Sequence, residues 1–402
     1  MRILYLVHQF FPKYYTGTER FTLDLAEQMQ RMGHSPLIVT YDRDASQEGF
    51  EHLHDNVLVR NYTYSTIPVI SLKQTTSLGT HEIFNAEIGR AFNKLGVNCD
   101  IVHICHPMWL SSIARTCKNE NIPVVLTLTD PWLLCPRRLI DQGYRLCSGP
   151  ELGRRCISNC GFNTKMVARY EDALSLLDMA DEVVTASRFT ASLFKRNGWN
   201  GEIRIIPHSI NYRYVRPIDN FDPAKVTFGF IGSISWHKGA HVLVKAFRKT
   251  SSQNISLKVY GSYREEWDYS KELFNLAHGD ERILFLDPFD MKALPDIMKN
   301  ISVIVIPSVY YDNYPLVMLI GLAYKVPVIG SNIGGIPEVI QHGVNGFLFD
   351  TGQEDELAQI IEEIARQPQI VESLRRNITA PRRTEEEALD YENIYMNLAL
   401  DR

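Results

Sequence analysis

Two Rossmann-like α/β halves, each a doubly wound sheet of parallel strands, are what this sequence predicts. Three observations carry that expectation. The chain has 402 residues, too many for one compact core and suited to two domains of about 200 residues each. Short β-rich runs alternate with helix-length amphipathic segments from end to end. The strand runs are near-continuously apolar, as befits strands covered on both faces. A composition of 45% hydrophobic and 22% charged residues is that of a globular chain and excludes disorder as the main state.

The first half offers strands at Arg2–Val7, Pro36–Tyr41, Ile101–Ile104, Pro123–Leu128, Glu182–Thr185 and Ile203–Ile206. The second offers Val226–Ile231, Ser256–Tyr260, Ile283–Leu286, Val303–Ile306 and Val326–Gly330. Helical periodicity fills the gaps, for example at Arg20–Gly33, Glu82–Leu95, Ala240–Thr250 and Glu354–Ala365. The stretch Pro207–Pro223, with Pro207, Pro217 and Pro223 and no sustained periodicity, suits a linker. After it, a buried strand ending in Gly232 repeats the logic of the N-terminal strand. Thr384-Glu385-Glu386-Glu387 reads as a capping box, and Ala388, Tyr391, Tyr395 and Leu398 fall on one face of the helix it opens. The expected organisation is residues 1–213 as one domain, 214–380 as the other, and 381–402 as a tail helix packing back on the first.

Net charge is −5, so the global balance advertises no nucleic-acid partner. No apolar run reaches the 18 or so residues that span a bilayer. The opening Met1–Val7 lacks the flanks of a signal peptide, which points to a cytoplasmic chain with reduced thiols.

In open parallel sheets, ligands bind beyond the carboxyl ends of the strands, so chemistry is sought there. The first strand runs into a turn holding Thr16, Gly17, Thr18 and Glu19, then a helix whose free N–H groups suit an anion or a hydroxyl-rich ligand. The blander reading is an ordinary connection with Thr18 as N-cap. Gly232-Ser233 begins the loop after the second half's first strand, and Lys238 at its far end offers a point charge to a phosphate. The spacing is not that of a Walker loop. The loop of Ser308, Tyr310, Tyr311, Asp312, Asn313 and Tyr314 leads into an apolar helix beginning near Pro315, with Leu316 and Val317 in its first turn. Helix N–H groups there can bind a diphosphate, and Asp312 can accept bonds from sugar hydroxyls. His106, just past a strand, faces either the ligand edge or the core, whereas His103 lies within the strand and should be packed.

With these junctions in place, the whole chain resembles the retaining glycosyltransferases of family 4, the "group 1" enzymes of GT-B fold. The resemblance rests on Pro315-Leu316-Val317-Met318-Leu319, on the run from Pro327 to Glu338 with its Gly334-Gly335 pair, and on Gly343-Val344-Asn345-Gly346-Phe347-Leu348. Thr16-Gly17-Thr18-Glu19-Arg20, Gly33-His34 and Lys238-Gly239 match as well. It implies two domains facing across a cleft, a nucleotide-sugar donor, retention of anomeric configuration and no catalytic divalent metal. It further implies that Lys238 holds the donor diphosphate and that Asp312, the first acid of a Glu-x7-Glu motif, contacts the donor sugar. Backbone N–H groups from Tyr314 to Val317 would meet the phosphates, and Gly17 and Thr18 would approach donor and acceptor.

Three departures stand out. The second acid of that motif, which usually grips the nucleotide ribose, falls on Ile320, and about 1.5–3 kcal/mol per charged bond is forgone. The arginine that often supports the lysine falls on Ser233. The family's His-Asp pair reads Thr129-Asp130, so a hydroxyl replaces an imidazole. The favoured function is transfer of a sugar to a hydroxyl acceptor, a glycan or lipid-linked glycan, with Lys238, Asp312, Asp130 and Thr129 at the centre. The alternative is a silenced protein of the same fold acting as a binding or partner subunit.

Four of the seven cysteines fall in one short window with the spacing Cys135-x11-Cys147-x8-Cys156-x3-Cys160, where chance would place about half of one. Four thiolates can close a tetrahedral shell, so an insert over residues 133–163 stapled by structural zinc is expected, with an iron–sulfur cluster as the alternative. The bland readings are unligated thiols, or disulfides in an exported chain. From Arg137 to Arg169 there are seven Lys/Arg and two Asp/Glu. That surplus suits an anionic acceptor or peripheral contact with an acidic membrane surface, and equally a solvated loop.

Overall fold

A computed structural model describes residues 1–43, 48–76, 82–216, 218, 221–263 and 267–400. The chain forms two compact units, Met1–His208 with the segment from Thr384 onward, and Ser209–Arg383.

Unit 1 is built on a nine-stranded sheet. Its strands are β1 (Arg2–Val7), β2 (Ser35–Tyr41), β3 (Glu51–His54), β4 (Val57–Tyr64), β5 (Ile67–Gln74), β6 (Ile101–Ile104), β7 (Val124–Leu128), β8 (Glu182–Thr185) and β9 (Arg204–Ile205). Their spatial order is β3-β4-β5-β2-β1-β6-β7-β8-β9. The apolar strand β1 lies near the middle, with Leu4 level with Leu37 of β2 and Val102 of β6, both parallel. Strands β3, β4 and β5, which the sequence reading did not anticipate, extend the edge: β5 joins β2 in parallel, and β4 and β3 follow in antiparallel fashion. Polar residues punctuate the outer half of β4, where burial alternates, and so mask a strand periodicity.

The tail helix Thr384–Leu400 belongs to unit 1 and buries Ala388, Tyr391, Ile394 and Tyr395 in the same apolar cluster as Tyr5, Phe21 and Met29. Tyr391 and Tyr395 are fully buried. His103 is bonded through Nδ1 to the Tyr395 hydroxyl at 2.6 Å and through Nε2 to Thr127 Oγ1 at 2.7 Å. Burial lowers its pKa to about 3, so the ring is neutral at pH 7. His208 Nδ1 lies 3.0 Å from Glu387 Oε1, and Gln28 Nε2 donates to Thr384 Oγ1 at 3.0 Å.

Unit 2 carries a six-stranded, all-parallel sheet of β10 (Val226–Ile231), β11 (Ile255–Tyr260), β12 (Ile283–Leu286), β13 (Val303–Ile306), β14 (Val328–Ser331) and β15 (Gly346–Phe349), in the order β12-β11-β10-β13-β14-β15. Helices Ala240–Arg248 and Glu354–Arg366 place Leu243, Val244, Phe247, Leu357 and Ile361 in one of its two apolar clusters, while helix Leu316–Ala323 supplies Met318, Leu319 and Leu322 to the other. Within the stretch expected as a linker, Tyr212 donates its hydroxyl to Pro381 O at 2.8 Å and Ile210 bridges Arg383. Pro217 of that stretch lies outside the described residues. So do Asp401 and Arg402 of the tail. Among the described residues no helix is long and apolar enough to cross a membrane.

Candidate active site

In unit 2 the loops after β10 and β13 are locked to each other. Gly239 has φ +74°, and a Cβ there would meet Pro307 O at 1.8 Å, so only glycine allows the turn carrying Lys238 to lie against the end of β13. Val309 N donates to His237 O at 2.9 Å across the same junction. The result is a short polar chain. Lys238 Nζ donates to Asp312 Oδ2 at 2.8 Å and to the Tyr310 hydroxyl at 2.9 Å, and Ser308 Oγ donates to Asp312 Oδ2 at 3.0 Å. Burial opposes the lysine's charge, but Asp312 and the Tyr310 phenol outweigh it and hold the ammonium above its ordinary range. Lys238 remains partly open, whereas Ser308, Asp312 and Asn313 are buried.

Asp312 is fixed from behind as well. Gly335 N donates to Asp312 O at 2.9 Å, and at Gly334 (φ +63°) a Cβ would meet that oxygen at 2.0 Å. The Gly334-Gly335 pair therefore seats the carboxylate loop. Pro315 caps the helix Leu316–Ala323 from an extended conformation, one residue earlier than expected, and its carbonyl accepts from Met318 N at 3.0 Å. Tyr314, Leu316, Val317 and Ile320 are half-buried. Gly232 N donates to Tyr260 O at 3.1 Å, and Ser233 follows in the same partly open turn. Sequence reading singled out Lys238 and Asp312 but assigned no role to Ser308 or Tyr310. Their spacing of four and two residues before Asp312 on one loop was the available signal.

In unit 1, the helix Gly17–Arg31 begins at Gly17 with Thr16 as its cap residue, rather than Thr18. Thr16 Oγ1 donates to Glu19 Oε2 at 2.5 Å, while Thr18 O accepts from Thr22 Oγ1 at 2.9 Å. Glu19 is fully buried, and that burial raises its pKa. Its other oxygen, Oε1, has no hydrogen-bond partner and lies 3.9 Å from His8 Nε2. His8, directly after β1, was not singled out from the sequence, although its place at a strand's carboxyl end marked it. Its Nδ1 and the Trp109 indole nitrogen are likewise buried without partners. Burial, then the neighbouring His106, pushes the His8 imidazole well below its ordinary pKa.

The His106 ring lies against that of His8, with centroids 4.0 Å apart and planes tilted by 37°. Its Nδ1 accepts from Met108 N at 3.3 Å, which leaves Nε2 to carry the proton toward Asp130 Oδ1, 3.5 Å away. Asp130 also accepts from Trp132 N at 2.8 Å. Burial pushes its carboxyl up, but His106 and Arg138 overcome this and hold it well below the usual range. Thr129 Oγ1 donates to Cys105 O at 3.3 Å.

The expected metal centre is not assembled. No disulfide joins any of the seven cysteines, and among the described residues no three His, Cys, Asp or Glu side chains converge as a metal cluster. Cys135 and Cys156 form a sulfur hydrogen bond that lowers Cys135 to about 6 and raises Cys156. Cys147 Sγ donates to Gly149 O at 3.3 Å, and Cys160 sits at the end of the short helix Arg154–Cys160, its pKa raised by burial. Cys160 and Cys147 also act electrostatically on Cys156, so the four sulfurs lie in one neighbourhood without closing a metal shell. The insert has other staples. The buried Arg169 guanidinium donates to Leu133 O at 2.8 Å and Trp132 O at 2.6 Å, and Asp141 Oδ1 accepts from Gly143 N and Arg145 N at 2.8 and 3.0 Å. Much of the insert's positive charge is spent on such bonds, including Arg155 to Glu151 at 3.1 Å.

Residues 215–381 match the group 1 glycosyl transferases, and residues 15–213 match glycosyltransferase family 4. The chain is thus a glycosyltransferase of group 1, with a family 4 domain as its first half. It is 26% identical over 320 residues to an N-acetyl-alpha-D-glucosaminyl L-malate synthase of Bacillus anthracis, covering 76% of each chain. It is 25% identical over 385 residues to a D-inositol 3-phosphate glycosyltransferase of Paenarthrobacter aurescens, covering 90% of this chain and 87% of the other. Its fold is GT-B, as in sucrose-phosphate synthase from Thermosynechococcus elongatus, with TM-score 0.76, 18% identity and both chains covered in full. Anabaena HepE, solved in complex with UDP-glucose, is also similar, with TM-score 0.72, 19% identity, and 99% and 100% of the two chains covered.

Proposed function

We propose that this glycosyltransferase moves a sugar from a nucleoside diphosphate sugar to a hydroxyl of a glycan or lipid-linked glycan, with retention of anomeric configuration. The observation that carries the reading is the Lys238 ammonium, fixed by Asp312 and Tyr310 at the carboxyl edge of the unit 2 sheet. A preorganised cation beside the N-terminus of helix Leu316–Ala323 suits the negative charge that develops on a departing diphosphate. The UDP-glucose bound by Anabaena HepE supports a nucleotide-sugar donor. Curated relatives named for L-malate and D-inositol 3-phosphate, both hydroxyl-bearing, support a hydroxyl acceptor.

In the proposed reaction the bond between the sugar C1 and the phosphate oxygen breaks while the acceptor oxygen bonds to C1 on the same face. The acceptor proton passes to the departing phosphate oxygen. Lys238 stabilises that oxygen's partner charges, and backbone N–H groups from Tyr314 to Val317 share the load. Asp312 holds Lys238 in register through its short bond and presents its loop to the donor sugar. Asp130, kept ionised by His106, accepts a hydrogen bond from a substrate hydroxyl, with Thr129, Gly17 and Thr18 shaping the same edge of unit 1.

Calorimetry with UDP, GDP, ADP and their glucose conjugates tests this. Binding of at least one pair, lost in Lys238→Ala, is expected, and proton NMR of the product should show the donor's anomeric configuration. A second reading, a silenced binding subunit, is favoured by one observation: Ile320 occupies the partly open face of its helix where an acid would otherwise grip the donor. Absence of heat with every donor would support that reading and sink the first.

A further inference from the structure

Ten large hydrophobic side chains stand exposed among the described residues, and three of them, Tyr144, Leu146 and Leu152, crowd into residues 144–152 of the basic insert in unit 1. They are 57%, 41% and 54% exposed. Asp141 N donates to Arg145 O at 2.9 Å, Cys147 N donates to Leu139 O at 2.8 Å, and Ile140 bridges Leu146. Residues 139–147 therefore double back as a hairpin, with Tyr144 in its turn. Gln142 Nε2 ties that hairpin to Cys160 O at 2.5 Å, at the end of the short helix Arg154–Cys160, and Leu152 lies in the turn that enters the same helix. The helix is about 10 Å long, so one small module carries all three side chains. Tyr144 and Leu152 both have φ +58°, a left-handed conformation that glycine or asparagine adopts at far less cost. Two large apolar side chains are thus held in water on a strained backbone, a combination that points to a contact.

The same module is cationic. Residues 137–165 hold six Lys/Arg and two Asp/Glu, in a chain of net charge −5. Both acids are already engaged, Asp141 by Arg145 and Glu151 by Arg155. Arg138, Arg154 and Lys165 are exposed and form no ion pair among the described residues. Apolar anchors accompanied by unpaired cations match a surface with hydrocarbon beneath and negative headgroups above. Leucine enters the acyl boundary, tyrosine rests at headgroup depth, and arginine and lysine meet lipid phosphates. A soluble polyanion would use the cations and gain nothing from Leu146 and Leu152. We infer that this insert docks unit 1 on an anionic lipid bilayer, through Tyr144, Leu146 and Leu152 with Arg138, Arg154 and Lys165. Arg138 also bears electrostatically on Asp130, so the docking module adjoins the candidate site of unit 1. On the transferase reading proposed above, that placement favours the lipid-linked acceptor.

Sedimentation of the full chain with sucrose-loaded vesicles, without donor or acceptor, tests the docking by itself. Partition onto vesicles of phosphatidylglycerol and phosphatidylcholine in equal parts should exceed that onto pure phosphatidylcholine by at least about tenfold, and should fall as salt rises. The variant Y144S/L146S/L152S should lose about tenfold or more in partition. Arg154→Gln combined with Lys165→Gln should lose about tenfold on the anionic vesicles alone. Circular dichroism checks that each variant folds; should the triple variant fail, Leu152→Ser alone, at an exposed position, should lose about threefold. No sedimentation with anionic vesicles, or equal sedimentation with both kinds, overturns the inference. Unaltered partition of a folded apolar variant overturns it as well and marks the cations as a site for a soluble polyanion. None of these results touches the nucleotide-sugar reading, which calorimetry with donors decides separately.

Discussion

The carboxyl edges of the two sheets bury polar groups to different degrees of satisfaction, although Ser331 Oγ at the end of β14 lacks a partner too. In unit 2 the ammonium of Lys238, the carboxylate of Asp312 and the hydroxyls of Ser308 and Tyr310 close a set of bonds between 2.8 and 3.0 Å. In unit 1, Glu19 Oε1, His8 Nδ1 and the Trp109 indole nitrogen are buried with no hydrogen-bond partner, each leaving a desolvation cost of about 1–3 kcal/mol uncompensated. One edge is an assembled electrostatic device whose charge is already oriented. The other holds unspent hydrogen-bonding capacity and is stable only because the surrounding core over-determines it. A site that must stabilise developing charge gains from the first arrangement. One that must take up a neutral, hydroxyl-rich molecule gains from the second.

Lys238→Ala breaks this contrast most severely. Transfer is expected to fall by at least about 10²–10³-fold in kcat, with the circular dichroism spectrum unchanged. An undiminished rate would remove the lysine from the chemistry. Asp312→Asn should cost less, about 10–100-fold in kcat, while UDP binds as tightly as in the wild type or more so. The lysine then loses its orientation but keeps a charge no longer shared with a carboxylate. Weaker UDP binding in that variant would argue that Asp312 serves the donor directly.

In unit 1 the expected effects are on stability. His103 has a folded pKa of about 3, below its unfolded value near 6.5, so the unfolded chain binds more protons between those limits. Its contribution is fully present above pH 6.5 and is lost as pH falls toward 3, by about 1.4 kcal/mol per pH unit. Urea titrations of wild type and His103→Gln at pH 7.5 and 5 check this, and parallel curves would refute it. Glu19 has the opposite sign. Burial raises its pKa, so the folded state holds its proton more tightly, and stability declines as pH rises through the folded pKa. Glu19→Gln should therefore raise the thermal midpoint by about 2–4 °C at pH 8 and by less at pH 4.5. An equal gain at both would show that ionisation is not the cost.

What could be seen in the sequence tracks how local the determining physics is. Strand β13 is an unbroken apolar run with four buried residues, and its limits Val303–Ile306 were legible as they stand. Strand β4 begins buried and then alternates, and β3 is polar, so the antiparallel extension gave no continuous signal. Lys238 and Asp312 were visible as edge residues, but their mutual bond joins positions 74 residues apart and depends on Gly239 lying against Pro307. The cysteine spacing was conspicuous, yet whether thiols converge is decided by how the turns between them fold. His8 was passed over because a lone histidine has no pattern until its neighbours from other strands surround it.

Because the last helix fills the hollow lined by Tyr5 and Phe21, the first domain is written in two pieces with the whole of the second domain between them. During synthesis, all of Ser209–Arg383 is polymerised before Tyr391 and Tyr395 exist. The lobe that begins first is therefore completed last, and a released chain ending at residue 383 would carry every segment of the second lobe but a first lobe whose apolar core lacks Tyr391 and Tyr395.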